Sequence, residues 1–241
     1  LRCEYKNNKT DTDKMAQSVS ANIFHSGEKV VIRLKNCQKC SDDNLSNLNI
    51  GVCLDVSGSM GTSVYSKDQS WSSTKMMLCK EAIKFILTKL GDNRIGVVTF
   101  DSHVKRLLPL QKVTDRINTV NIIDRIFPGS YTNLSSGICE SLRMMESTED
   151  EVVKYLLVFT DGCANVGITD QDALLQMLKD GLKKNPGLKV AIMGYGADCN
   201  ATLLQYLAEQ VDGSYHQLNS CLLYTSTSPR DRQKCRMPSY G

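Results

Sequence analysis

Residues 48–60 read LNIGVCLDVSGSM, an apolar run followed by a turn rich in oxygen-bearing side chains. The run up to Leu54 is mostly apolar, as central strands of a parallel sheet are when helices cover both of its faces. Asp55, Ser57 and Ser59 follow, so one tight turn presents a carboxylate and two hydroxyl groups. Mg²⁺ takes oxygen ligands in near-octahedral geometry at about 2.0–2.1 Å. The stretch therefore predicts a buried strand with a candidate cation site at its carboxyl end.

Two later segments complete this pattern. Thr132 lies in the loop GSYTN at 129–133, and Asp161 ends the apolar run YLLVFT at 155–160. Taken singly, each piece is typical of an ordinary turn or helix cap, because Asp and Ser side chains bond to nearby backbone amides. Taken together, they place an Asp at the end of two apolar strands in a chain that alternates strand and helix. Ligands of open parallel sheets bind at the carboxyl ends of the strands, so the pattern predicts one shared site.

These residues carry a resemblance to a known family. Over roughly residues 46 to 219 the chain resembles the von Willebrand factor type A domain. The positions of its metal-ion-dependent adhesion site are matched by Asp55, Ser57, Ser59, Thr132 and Asp161. The flanking residues that also match are Val56, Met60, Asn133, Leu134, Gly137, Phe159, Thr160 and Gly162.

The resemblance implies a role for each site residue. Ser57 and Ser59 would bind the metal through their hydroxyls, and Thr132 would join them in the ligand-competent state. Asp55 and Asp161 would mostly hold metal-bound waters. The metal would be Mg²⁺, with Mn²⁺ or Ca²⁺ as alternatives, and an Asp or Glu of a protein partner would complete its coordination. The resemblance thus implies a divalent-cation-dependent protein–protein interaction module, not an enzyme.

A hypothesis for partner choice concerns the loop 61–73, which follows the metal turn. It holds Trp71, the only tryptophan of the chain, and Tyr65, while Tyr131 adjoins Thr132 on the second loop. Aromatic side chains are favoured anchors of protein interfaces. The alternative is that Trp71 packs under the first helix.

The alternation of apolar strands and amphipathic helices predicts an α/β fold, a doubly wound and mostly parallel sheet with helices on both faces. The predicted parallel strands are 48–55, 94–100, 152–159, 188–193 and 214–218, with an antiparallel edge strand at 104–108. Helices are predicted from about residue 74 and over 114–127, 134–145, 170–184 and 201–210. The apolar faces of the first two helices are predicted to hold Met77, Ile83, Ile86, Leu87 and Leu90, and Ile117, Val120, Ile123, Ile126 and Phe127.

The chain is predicted to divide into three parts. Residues 1–45 form a flanking segment with a strand at 29–35, residues 46–219 form the type A domain, and residues 220–241 resemble a translated sequencing adapter. This tail carries four of the 29 basic residues and one of the 26 acidic residues, so the rest of the chain is neutral. The formal charge of +3 therefore gives no support for nucleic acid as a partner. The tail stands where the family has its last helix, so we expect that helix to be missing.

Cysteine placement favours an intracellular, cytoplasmic protein, and an extracellular location stays open because the sequence does not begin with Met. Several of the ten cysteines lie inside apolar patterns, where a free Cys acts as a small hydrophobic residue. Cys37 and Cys40 are the one close pair, and binding a metal, pairing and remaining free all stay open for them. No apolar stretch approaches the roughly 18–20 residues that cross a bilayer, which predicts no membrane span.

Two other functions stay open. One is a structural type A scaffold without metal-dependent binding. The other is a phosphotransferase that forms an aspartyl-phosphate on Asp55, but such enzymes carry a second Asp where this chain has Ser57. No catalytic set is evident, because the three histidines lie far apart and no base stands beside Cys163.

Overall fold

A computed structural model of the chain describes residues 19–26, 29–36, 48–65, 72–146 and 152–218. The strands in these ranges are β1 (Val19–Ser26), β2 (Lys29–Asn36), β3 (Leu48–Asp55), β4 (Ser63–Tyr65), β5 (Ser72–Thr74), β6 (Arg94–Phe100), β7 (Val104–Lys112), β8 (Val153–Thr160), β9 (Leu188–Tyr195) and β10 (Ser214–Leu218). The α-helices are α1 (Lys75–Lys89), α2 (Arg116–Asp124), α3 (Leu134–Met145), α4 (Gln171–Lys183) and α5 (Ala201–Glu209).

The main sheet has six strands in the order β10-β9-β8-β3-β6-β7. All neighbours are parallel except β7, which runs antiparallel to β6 at one edge. The chain leaves β3 toward β6 and β7 and then returns to β8 on the other side of β3. The direction in which strands are added therefore reverses beside β3. Open parallel sheets bind ligands at such a point, which here is the crevice at the carboxyl ends of β3 and β8. The predicted mostly parallel sheet with one antiparallel edge is confirmed.

Helices cover both faces of this sheet. Alternate residues of β3 point to opposite faces. Ile50, Val52 and Leu54 belong to the core cluster that includes residues of α1 and α2, whereas Cys53 belongs to the cluster that includes residues of α3, α4 and α5. Every residue of β3 is buried, which explains why its sequence is a continuous apolar run and not a polar–apolar alternation.

Each helix begins at a polar residue that caps it. The side chain of the residue before the helix accepts a hydrogen bond from the backbone N–H three residues further on, and this satisfies a donor that has no partner within the helix. The capping residues are Thr74, Asp115, Asn133, Asp170 and Asn200. Asn133 directly follows Thr132, so the cap of α3 also fixes the end of a predicted site loop.

Some side chains predicted to face the core lie on the surface. Met77 is 56% exposed, because α1 turns Lys75 and Met76 toward the interior instead. Ile117 and Phe127 are also exposed. The helix α2 is shorter than the predicted 114–127, so Phe127 lies after its last turn.

Two segments contain strands that the sequence pattern did not predict. Residues 19–26 showed no clear period, yet β1 pairs with β2 in an antiparallel hairpin. The predicted loop 61–73 contains β4 and β5, which also pair antiparallel. Backbone hydrogen bonds form these short ladders, and they require no apolar period in the sequence.

Several predictions lie outside the described residues. These are the tail over 220–241, a helix after β10, the pair Cys37 and Cys40, and the placement of Trp71. Among the described residues, no helix is both long enough and apolar enough to cross a membrane.

Candidate metal centre

The first site segment is the turn after β3. The backbone N–H of Ser57 donates a hydrogen bond to Asp55 Oδ1 at 2.8 Å, which closes the turn. The hydroxyl oxygens of Ser57 and Ser59 lie 3.1 Å apart. Met60 is fully buried and anchors the short 3₁₀ helix at Gly58–Gly61 that carries Ser59. The turn therefore brings the predicted carboxylate and hydroxyl groups together.

Backbone hydrogen bonds join the second segment to this turn. The N–H of Gly129 donates to the carbonyl of Val56 at 2.5 Å, and the N–H of Gly58 donates to the carbonyl of Ser130 at 2.8 Å. A Cβ atom at Gly129 would collide with the side chain of Asp101, so the close approach of this loop to the residue after β6 favours glycine there.

Thr132 connects the second segment to the third. It is buried, and its N–H donates to the side-chain oxygen of Asn165 at 2.8 Å. Its carbonyl accepts hydrogen bonds from the N–H groups of Asn165 and Val166 at 3.1 and 3.2 Å. Thr132 thereby lies beside the loop that follows Asp161.

Asp55 and Asp161 are both fully buried. The hydroxyl of Thr160 donates to Asp55 Oδ2 at 2.6 Å and accepts from the N–H of Gly162 at 3.0 Å. Burial raises the pKa of Asp55 to about 6, although hydrogen bonds from Ser57 and Thr160 oppose this rise. The nearby charge of Asp161 adds to it. The chain thus keeps two carboxylates close together inside the protein, where uncompensated negative charge is costly.

A lysine that the sequence analysis missed lies against these acids. Lys75 Nζ is 3.2 Å from Asp161 Oδ2 and 2.7 Å from Asp198 Oδ1, and its side chain is only 2% exposed. Burial lowers the pKa of Lys75, but hydrogen bonds to Asp198 and Asp161 outweigh it, so the pKa is raised and the ammonium stays charged. Asp198 and Asn165 were also not predicted, because nothing in the local sequence pattern indicates that these residues approach the site.

The donor set fits a hard divalent cation. Carboxylate and hydroxyl oxygens suit Mg²⁺, Mn²⁺ and Ca²⁺, whereas zinc sites usually rely on Cys and His. Within the described ranges, no three side chains of His, Cys, Asp or Glu gather as a metal-binding group. The five predicted ligands do not form such a group, because only two of them are carboxylates and the other three are hydroxyls.

Cys163 does not have the environment of a nucleophile. Its thiol lies beside the site, 3.7 Å from the carbonyl oxygen of Asp161. Burial and the charges of Asp161 and Asp198 raise its pKa, whereas an activated thiol needs a lowered pKa.

Comparison with known proteins finds a family model that matches part of the chain. Residues 50–164 match the sequence model described as the von Willebrand factor type A domain. A protein of Synechocystis sp. named sll0103 is 24% identical over 185 residues, which are 76% of this chain and 40% of that protein. The chain therefore spans less than half the length of this curated relative.

Solved structures share the fold. BatB from Bacteroides thetaiotaomicron aligns with a TM-score of 0.59 at 18% identity, covering 71% of this chain and 90% of BatB. Proximal thread matrix protein 1 from the mussel byssus, solved with a zinc-occupied MIDAS motif, aligns with a TM-score of 0.55 at 23% identity. That alignment covers 72% of this chain and 44% of the mussel protein. Residues 50–164 thus resemble the von Willebrand factor type A domain in sequence, and the chain shares the α/β fold of these solved structures.

Proposed function

We propose that this domain binds a protein partner through a divalent cation, most readily Mg²⁺. The hydroxyls of Ser57, Ser59 and Thr132 would bind the cation directly, and Asp55 and Asp161 would hold metal-bound waters. The observation that carries the proposal is the convergence of three loops at the carboxyl ends of β3 and β8. Backbone and side-chain hydrogen bonds join all three loops, and two fully buried carboxylates lie at their base.

The arrangement suits metal-dependent binding for an electrostatic reason. Hydroxyl ligands carry no charge, so a cation held by them stays poorly compensated and attracts an anionic oxygen from outside. A partner's Asp or Glu supplies such an oxygen. Tyr131, beside Thr132, is 61% exposed, and Tyr65 is 60% exposed, so both are available as aromatic contacts for a partner.

A specific observation favours a second candidate, a metal-independent scaffold. The ammonium of Lys75 lies 3.2 Å from Asp161 Oδ2 and compensates part of its charge. In a scaffold this ion pair would serve stability alone. The two candidates differ in whether a divalent cation binds at all.

Calorimetric titration of the full chain with Mn²⁺, Mg²⁺ and Ca²⁺ separates them. We expect saturable binding of one ion by the wild type and a loss of at least tenfold in affinity in Ser59→Ala, which removes only a hydroxyl ligand. Ser63→Ala is the matched control, because Ser63 is an exposed serine four residues further on. It should bind the metal as the wild type does.

A folded wild-type chain that releases or absorbs no heat with any of the three ions would refute the metal-dependent function and favour the scaffold. Equal affinity in Ser59→Ala and Ser63→Ala would place the metal somewhere else. With binding established, a pull-down in Mg²⁺ against chelator then tests whether partner capture follows the metal.

A further inference from the structure

The side chain of Lys75 extends from the start of α1 to the carboxylates of Asp161 and Asp198. Its backbone N–H donates to the carbonyl of Thr62 at 3.1 Å, which fixes the start of α1 beside the turn after β3. A Cβ at Gly196 would lie 2.6 Å from Lys75 Cε and 2.9 Å from Nζ. Gly196 therefore leaves the space that the lysine stem occupies, and its φ of 90° is one that other residues rarely adopt.

The ammonium of Lys75 is shared by two carboxylates in very different surroundings. Asp161 is fully buried, whereas the side chain of Asp198 is 60% exposed. Lys75 Nζ lies 2.7 and 2.8 Å from the two oxygens of Asp198 but 3.2 Å from its nearest oxygen of Asp161. The shorter contacts hold the ammonium toward the surface carboxylate.

We propose that Lys75 is a resident cation that competes with the metal for Asp161, and that Asp198 sets the metal affinity by drawing Lys75 away from the site. The inference rests on the proposed metal-dependent function. A buried positive charge beside a metal ligand repels an incoming divalent cation, because water screens such an interaction poorly in the interior. An anchor that holds this charge back reduces the repulsion.

Substitutions of Lys75 and Asp198 should change the metal affinity in opposite directions. Lys75→Met keeps the buried stem but removes the charge, so we expect Mn²⁺ and Mg²⁺ to bind at least tenfold tighter. Asp198→Asn releases Lys75 toward Asp161, so we expect both ions to bind about threefold to tenfold weaker. A lysine with only a structural role would give weaker binding in Lys75→Met.

The double variant separates the action of Asp198 through Lys75 from its own charge. In the Lys75→Met background we expect Asp198→Asn to change the metal affinity less than about twofold, because exposed charges are largely screened. Lys80→Met is the matched control on the same helix. Its ammonium contacts the carbonyl of Asp124 and not the site, so the metal affinity should not change.

The measurements are calorimetric metal titration of the full chain and the rise in unfolding temperature caused by the metal. Lys75→Met should unfold at a lower temperature without metal and show a larger rise with it. Equal or weaker binding in Lys75→Met, or an equal effect of Asp198→Asn in both backgrounds, would overturn the inference. If Lys75→Met does not fold, unchanged affinity in Asp198→Asn alone overturns it. Absence of binding in both wild type and Lys75→Met would refute the metal-dependent function itself.

Discussion

Thr160 gives the sharpest test of how the fold maintains a buried carboxylate. Its hydroxyl donates to Asp55 Oδ2 at 2.6 Å and accepts from the N–H of Gly162 at 3.0 Å. Thr160→Val keeps the shape and the strand preference of the side chain but removes both bonds. A hydrogen bond to a charged group contributes about 1.5–3 kcal/mol, and an unpaired buried donor costs about 1–3 kcal/mol.

We therefore expect Thr160→Val to lower the free energy of unfolding by about 2–4 kcal/mol at pH 8 in chelator. The cost should be smaller at pH 5, because Asp55, with a pKa raised to about 6, is then mostly protonated. A bond between neutral groups contributes only about 1 kcal/mol. Urea denaturation at the two pH values, in both wild type and variant, measures the difference.

Thr160→Ser is the control, since it keeps the hydroxyl and should lose about 1 kcal/mol for the methyl group at both pH values. The same cost of Thr160→Val at pH 5 and pH 8 would refute the reasoning. It would mean that packing, and not the charge of Asp55, determines the effect.

Three further predictions concern the same region. Between its ordinary pKa of 3.8 and its raised value of about 6, Asp55 binds more protons in the folded state than in the unfolded state. Its contribution to the free energy of unfolding should therefore fall by about 2 kcal/mol as pH rises from 4 to 7. Comparison of the pH dependence of stability in the wild type and Asp55→Asn measures this, and parallel pH profiles would contradict it. Gly137→Ala would place a Cβ 2.3 Å from Phe100 Cδ1. We expect the variant to be less stable in urea denaturation, because the overpacking cost of about 1–3 kcal/mol should exceed the gain in helix propensity of about 1 kcal/mol. A variant more stable than the wild type would contradict this and show that Phe100 moves aside at little cost. Asn165→Ala removes the acceptor for the N–H of Thr132 and should weaken metal binding about tenfold in calorimetry, whereas Asn165→Asp, which keeps an acceptor, should weaken it less.

The sheet was predictable because its signals are local. The strand β3 is buried along its whole length, so its sequence is apolar without interruption, and β10 begins and ends at the predicted residues. The helix starts were predictable for the same reason, because a capping residue such as Asp170 accepts a hydrogen bond from an N–H only three residues away. Patterns of this kind need no knowledge of distant parts of the chain.

The face of α1 was less predictable. An apolar period assigns Met77 to the core and treats lysines as surface residues, yet Met77 is exposed and Lys75 is buried. A lysine enters the interior only where acids compensate its charge. Its partners lie 86 and 123 residues further along the chain, so no local window contains the reason.

The sequence by itself determined the mostly parallel sheet with one antiparallel edge. It also predicted the five residues of the metal site, because the strand ends and turns that carry them are short contiguous segments. Only the tertiary structure decided the surroundings of that site: Thr160 on Asp55, Asn165 on Thr132, and Lys75 between Asp161 and Asp198. The physical reason is that solvation and charge compensation depend on which side chains the sheet order brings within a few ångströms, whatever their separation along the chain.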